Sequence, residues 1–164
     1  MTKEQFLHLA SPFEKSKKRR QAFIYIEKLA TLLVYLAYPS LLLFLLCTKD
    51  IRFWKCFFVP AVSFVAVSLF RKLLNAKRPY ELLDFKPLLL KDKKGESFPS
   101  RHVFSVFMIA MAYYFICIPM GIYLTVLGVL LALMRVVGGV HFPKDVLCGA
   151  CIGILLGALG FFVL

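Results

Sequence analysis

The residues of this chain that can do chemistry are His102, His141 and Asp145, with Arg71, Arg78, Arg101 and Arg135 around them in an otherwise apolar sequence. Charged and imidazole side chains close to hydrocarbon are expensive, so by default they mark a site rather than a scaffold. One group reads Arg135-x5-His141-x3-Asp145, and a second reads Pro99-Ser100-Arg101-His102. A carboxylate four residues after a histidine can hold one ring nitrogen and leave the other free to attack. A second histidine can protonate a leaving oxygen and afterwards activate water. Arginines grip phosphate oxygens through planar, charge-assisted hydrogen bonds and stabilise charge on the equatorial oxygens during transfer. Ser100, following Pro99, is placed as a helix N-cap, so the amides of Arg101 and His102 can also point at an anion. The chemistry these types suit is removal of phosphate from a substrate.

The elements that must position them are membrane helices. With 60% hydrophobic residues and a mean hydropathy of +0.78 over 164 residues, the chain is too apolar for a soluble globule and long enough for one domain, over 1–164. The expected fold is all-α: a polytopic bundle of five transmembrane helices behind an N-terminal amphipathic, interfacial segment (1–25, the basic stretch included). The spans are expected at about 26–47, with Pro39 kinking the helix, at 53–74, at 100–118, from the Pro119-Met120-Gly121 turn to about 137, and from Pro143 to the C-terminus. Pro143 suits a first helical turn, after the break at Gly138-Gly139. With five spans, the polar 75–98 stretch and the 135–145 turn lie on one membrane face, opposite the 48–55 and 119–121 turns. Arg71, Arg78, Ser100, Arg101, His102, Arg135, His141 and Asp145 therefore converge near one surface. Gly149, Gly153 and Gly157 form a small-residue face that seats the last helix against neighbours of the same chain, with homodimerisation as the lesser alternative.

The net charge of +12 does not point to nucleic acid, because the basic residues cluster between membrane-length apolar runs and no reading motif is present. There they can meet anionic lipid headgroups or a phosphate substrate. The five cysteines read as small hydrophobes, Cys148-Gly-Ala-Cys151 included, and no pair has the spacing of a zinc site. No cleavable leader is expected, since the basic stretch 15–20 precedes a segment long enough to remain as a span. His8 reads as solvated, Lys91 to Lys94 as a solvated or headgroup-contacting run, and Tyr80 and Glu81 as either entrance lining or loop anchors. Phe53, Trp54, Phe57, Tyr113, Tyr114 and Tyr123 fit interfacial belts and lipid-facing surface.

The motifs resemble those of the type-2 phosphatidic acid phosphatases, or lipid phosphate phosphatases, relatives of vanadium-dependent haloperoxidases and bacterial acid phosphatases. That signature is Lys-x6-Arg-Pro, then Pro-Ser-Gly-His, then Ser-Arg-x5-His-x3-Asp. Here it reads Arg71-x6-Arg78-Pro79, then Pro99-Ser100-Arg101-His102, then Met134-Arg135-x5-His141-x3-Asp145, so the motifs cover about 70–146. Arg replaces Lys at 71, with Lys72 one position out of register; Arg replaces Gly at 101, and Met replaces Ser at 134. The resemblance implies that His141 forms a phosphohistidine, that Asp145 orients it and that His102 is the acid/base. It also implies that Arg71, Arg78, Ser100, Arg101 and Arg135 bind phosphate, with no metal and no cofactor. Familiar members often have six spans, and here the amphipathic segment takes the place of the first.

The implied partner is a membrane lipid phosphate entering sideways from the bilayer: phosphatidylglycerol phosphate, phosphatidic acid, undecaprenyl pyrophosphate or a lipid A-type phosphate. Small size and minimal loops favour a bacterial inner-membrane enzyme and the first or third of these. The excess of Lys and Arg on the site's side favours the cytoplasmic face, against the outer face on which many bacterial relatives work, so the sequence leaves both faces open. A phosphotransferase, or a lipid-phosphate-binding protein without hydrolysis, would use the same pocket. The sequence leaves the oligomeric state open.

Overall fold

The computed structural model describes residues 1–89 and 93–164; Lys91 and Asp92, half of the expected solvated run, lie outside the described residues. The architecture is all-helical, with no strand among the described residues. α1 (Lys3–Glu14) and α2 (Lys17–Cys47) are followed by α3 (Arg52–Leu74), the one-turn α4 (Pro79–Leu82), α5 (Arg101–Ile116), α6 (Ile118–Val137) and α7 (Pro143–Ala158). A π-helical stretch, Leu159–Val163, continues α7. Four of these segments, starting with α2, α3, α6 and α7, are long and apolar enough to cross a membrane.

The third expected span, at 100–118, is the exception. α5 has 16 residues, or about 24 Å at the α-helical rise, short of a hydrocarbon core. It is instead the hub of the bundle: Val103, Phe104, Met108, Ala110 and Ala112 are all buried, and α5 packs most extensively on α6 and α7. A helix walled in by its neighbours need not span by itself, because the approaching loop is shielded by protein. Its N-terminus, which carries the Pro99–His102 motif, is thereby sunk among the other helices. Tyr113 and Tyr114, expected on lipid-facing surface, are also turned inward. The Tyr113 hydroxyl donates to the Ala37 carbonyl at 2.9 Å, and Tyr114 pairs with Thr125 at 3.2 Å.

Close approach of α7 to α5 depends on glycine. A Cβ on Gly149 would stand 2.6 Å from the Ser100 carbonyl oxygen, and one on Gly153 would stand 2.7 Å from the Phe104 carbonyl oxygen. Both obstacles are backbone, so neither can move aside as a side-chain tip could. The glycine face thus serves packing within the chain, which lets the Ser100 amide donate to the Asp145 carbonyl at 2.8 Å and join two motifs. Gly149→Ala should cost about 1–3 kcal/mol by overpacking, measured as a lower unfolding midpoint in detergent, with activity falling alongside as Ser100 is pushed from α7. A fully stable Gly149→Ala would contradict this packing.

The N-terminal segment departs from its expectation. α2 starts at Lys17 rather than near residue 26, and α1 docks on the protein as well as being amphipathic. Phe6, 1% exposed, stacks on Phe85 with centroids 5.4 Å apart and meets Phe142 edge-on at 5.8 Å. Phe13 packs on Phe23 of α2, and the Lys3 ammonium donates to the Asp84 carbonyl at 2.6 Å. α1 is therefore a strap across the loops at one end of the bundle.

Candidate active site

That end gathers the N-termini of α2, α5 and α7 and the C-termini of α3 and α6. Helix α3 stops when Asn75 turns left-handed (φ 42°), its amide capping the Arg71 carbonyl at 2.9 Å. The α6–α7 connection turns on Gly139 (φ 74°), a conformation that suits a residue without Cβ. The amides of Val140 and His141 then fold back onto the Arg135 carbonyl, at 3.2 and 3.3 Å. Pro143, at the first turn of α7 as expected, fixes the helix start just beyond His141.

His141 (2% exposed) and Asp145 (1%) form the buried centre. Their separation, Nδ1 to Oδ2, is 3.6 Å, longer than a good hydrogen bond. Ser97, a residue the sequence reading did not single out, stands against both. Its hydroxyl donates to the same Asp145 Oδ2 at 2.6 Å and lies 3.4 Å from His141 Nδ1. The Phe142 amide also donates to that oxygen, at 3.0 Å. Asp145 is thus locked by two donors while it faces the ring. A proton on Nδ1, directed at the carboxylate, leaves Nε2 with a free lone pair.

Burial pushes the His141 imidazole pKa down to about 4; the nearby Asp145 carboxylate opposes this, while Arg78 and Arg135 push the same way as burial. The ring is therefore neutral throughout the physiological range. The sign is direct: the neutral fraction is near one above the folded pKa and falls as pH drops through it. A ring-carbon NMR titration, assigned by the signal lost in His141→Gln, should show a midpoint near 4, and one near 6.5 would contradict the burial.

The arginines divide into two kinds. Arg71 donates through its two terminal nitrogens to the Pro99 and Glu96 carbonyls. Arg78 donates through Nε to the Gly95 carbonyl at 3.0 Å and through Nη1 to the Val140 carbonyl at 3.3 Å. Both therefore brace the loops that carry the second and third motifs. Glu81 joins in, accepting from the amides of Arg78 (3.0 Å) and Gly95 (2.8 Å), and Tyr80 donates to the Lys93 carbonyl, so both act as loop anchors. Arg135 instead pairs with Glu27 of α2, Nη2 to Oε1 at 2.6 Å, another contact the sequence reading missed. Among the described residues, Arg135 Nε and Nη1, Arg71 Nε and the Ser100 hydroxyl are buried without a hydrogen-bond partner. Ser100 stands at the N-cap of α5, but its side chain makes no capping bond. Buried donors in this condition are rare and suit an oxyanion.

Arg101 and His102 face a cavity of about 190 Å³ walled by Thr31, Tyr35, Phe64 and Leu131 from three other helices, and the Arg101 guanidinium lies 5.4 Å from the Phe64 ring centroid. His141 does not line that cavity. Asp145 lines a different one, with Lys77, Phe98, Phe142 and Lys144. All the predicted site residues thus come to one end of the bundle, with Arg101 and His102 on the first of these cavities and Asp145 on the second. Among the described residues, no three His, Cys, Asp or Glu side chains stand together as metal ligands, and the cysteines, Cys148 and Cys151 included, are free thiols.

The sequence profile of the PAP2 superfamily matches residues 52–163. This chain belongs to that superfamily. The match contains every predicted site residue from Arg71 to Asp145 and leaves α1 and α2, hence Glu27, outside it. The structure is similar to that of LpxE from Aquifex aeolicus, with a TM-score of 0.73, 26% identity and coverage of 96% of this chain and 92% of the other. It is also similar to the first transmembrane PAP2-type phosphatidylglycerolphosphate phosphatase from Bacillus subtilis, with a TM-score of 0.53, 28% identity and coverage of 94% and 90%. No curated protein gives a match. With its apolar spans and these neighbours, the PAP2 chain is an integral membrane protein.

Proposed function

We propose that this PAP2 protein is a lipid phosphatase that hydrolyses a phosphomonoester or pyrophosphate on a membrane lipid through a phosphohistidine at His141. The observation that carries the reading is a shared wall. Beside the cavity of Arg101 and His102 lies an apolar cleft of about 330 Å³ between α2, α3 and α5, lined by residues such as Tyr38, Phe57, Phe104 and Met108. Tyr35, Phe64 and Ser105 line both spaces. Tyr35 and Phe64 are exposed on the side of the bundle. A substrate with a hydrocarbon tail and an anionic head fits that pairing, the tail in the cleft and the phosphate at the cations.

In this reading His141 Nε2 attacks phosphorus in line with the lipid oxygen, whose departure His102 assists by protonation. Water activated by His102 then cleaves the phosphorus–nitrogen bond and releases phosphate. Arg135, Arg71 and Ser100 supply the donors that lack partners, and Arg78 and Arg101 add positive charge to the developing transition state. For phosphorus to reach His141, the cavity must extend past Arg101 and His102 toward α7. No metal ion or cofactor takes part in this scheme. The similarity to the Bacillus subtilis phosphatase supports phosphatidylglycerol phosphate as the first substrate to try. Phosphatidic acid and undecaprenyl pyrophosphate come next.

The test is phosphate release from these purified lipids in detergent, with chelator and with orthovanadate. Hydrolysis that persists in chelator and stops with vanadate is expected; dependence on added magnesium would overturn the scheme. Phosphate moved only to an alcohol acceptor would instead identify a phosphotransferase, and binding without turnover a lipid-phosphate-binding protein. We place the site on the cytoplasmic face of a bacterial inner membrane, because Lys17, Lys18, Arg19 and Arg20 open α2 at the site end, against Lys49, Arg52 and Lys55 opposite. In a variant whose five native cysteines are replaced by serine, thiol labelling of a cysteine introduced at Lys18 from outside intact cells should fail, and efficient labelling would place the site on the outer face.

A further inference from the structure

Glu27 is a carboxylate inside an apolar spanning helix, 8% exposed, where a charge is costly unless paired. Its partner is Arg135, 2% exposed, at 2.6 Å. Among the described residues, no other side chain holds that guanidinium, whose Nε and Nη1 stay unpartnered. A second buried guanidinium, Arg78, reaches the same turn through the Val140 carbonyl, while the Val140 amide is bonded to the Arg135 carbonyl. Two cations so placed repel each other, and a flexible arginine would swing away unless a fixed anion held it. Glu27 is itself steadied one turn along α2 by the Thr31 hydroxyl, at 3.4 Å. Thr31 and Tyr35, one and two turns beyond Glu27, line the cavity of Arg101 and His102. One face of α2 thus runs from Arg135 to that cavity, although α2 lies outside the PAP2 match.

We propose that Glu27 is a positioning residue of the phosphate pocket: it anchors one terminal nitrogen of Arg135 and so aims the remaining two donors at a substrate phosphate oxygen. The carboxylate touches no substrate and acts only through Arg135. The inference rests on the phosphate-pocket reading above but not on turnover. Arg135 held in this way is pre-organised, so substrate binding need not order a long side chain.

The experiment is a double-mutant cycle on the full chain in detergent, with Glu27→Gln, Glu27→Ala, Arg135→Ala and the double variant Glu27→Ala/Arg135→Ala. Two quantities are read: orthovanadate affinity by calorimetry, and kcat and KM on a lipid phosphate. Glu27→Gln keeps the shape and removes the charge, so it carries the test if alanine prevents folding. Expected are an affinity loss of about tenfold in Glu27→Ala and a smaller one in Glu27→Gln, with a parallel fall in kcat/KM. Neither quantity should drop further when Glu27→Ala is added to Arg135→Ala. Vanadate affinity unchanged in folded Glu27→Gln and Glu27→Ala, or losses that add in the double variant, would overturn the proposal while leaving the phosphatase reading intact. Weakened vanadate binding in a protein whose wild type releases no phosphate from any lipid would do the reverse.

Discussion

His141→Ala should lower kcat for lipid-phosphate hydrolysis by about 10⁴-fold or more while leaving orthovanadate affinity within roughly tenfold of wild type. The two readouts separate because the residues involved are physically separate. The cations that would hold phosphate are anchored independently of the ring: Arg71 on the Pro99 and Glu96 carbonyls, Arg78 on the Gly95 and Val140 carbonyls, Arg135 on Glu27. Removing the imidazole deletes the nitrogen proposed to attack and leaves that cage standing. A retained rate within tenfold of wild type, at saturating lipid, would place the nucleophile elsewhere.

Asp145→Asn should be nearly as damaging, at about 10³–10⁴-fold in kcat, although it changes almost no volume. The carboxylate is the acceptor that favours a proton on the near ring nitrogen. An amide can present N–H there instead, which would reverse the tautomer and put a proton on Nε2, where phosphorus must bind. Ser97→Ala should cost only about tenfold. It removes the 2.6 Å donor to Asp145 Oδ2 but leaves the Phe142 amide on that oxygen. The two substitutions should also be strongly non-additive, since Ser97 acts through Asp145. Steady-state kinetics of the two single variants and the double variant check this. A Ser97→Ala loss that multiplies fully in the Asp145→Asn background would show that the hydroxyl has a separate task.

The convergence of the site was legible because it depends on two things a sequence displays: hydrophobic run length and the order of polar groups between runs. Span parity alone put Arg71, Ser100, His102, Arg135 and His141 at one end, and the glycine period anticipated the seating of α7. The depth of α5 was not legible. An apolar run shows that α5 crosses the bundle, but not that α6 and α7 wall it in. Ser97 carried no signal, being one serine in a polar loop whose geometry is set by distant carbonyls. Glu27 did carry one: it lies just inside the first expected span, where the rule that buried charges mark sites applied as well as it did to Asp145. Its partner was 108 positions away, on a helix whose neighbour relations only packing could reveal. The inward turn of Tyr113 and Tyr114 has the same origin, because aromatic composition alone does not separate a lipid-facing ring from one that bonds a neighbouring helix.

The most direct test of the phosphohistidine mechanism is to trap the enzyme during turnover. The protein is mixed with a lipid labelled in its phosphate, quenched in alkali within milliseconds, and the labelled peptide is identified by mass spectrometry. The account predicts phosphate on the peptide containing His141, stable to alkali, lost in mild acid and absent from His141→Ala. Label on a serine or a carboxylate, or the same label appearing in His141→Ala, would contradict it.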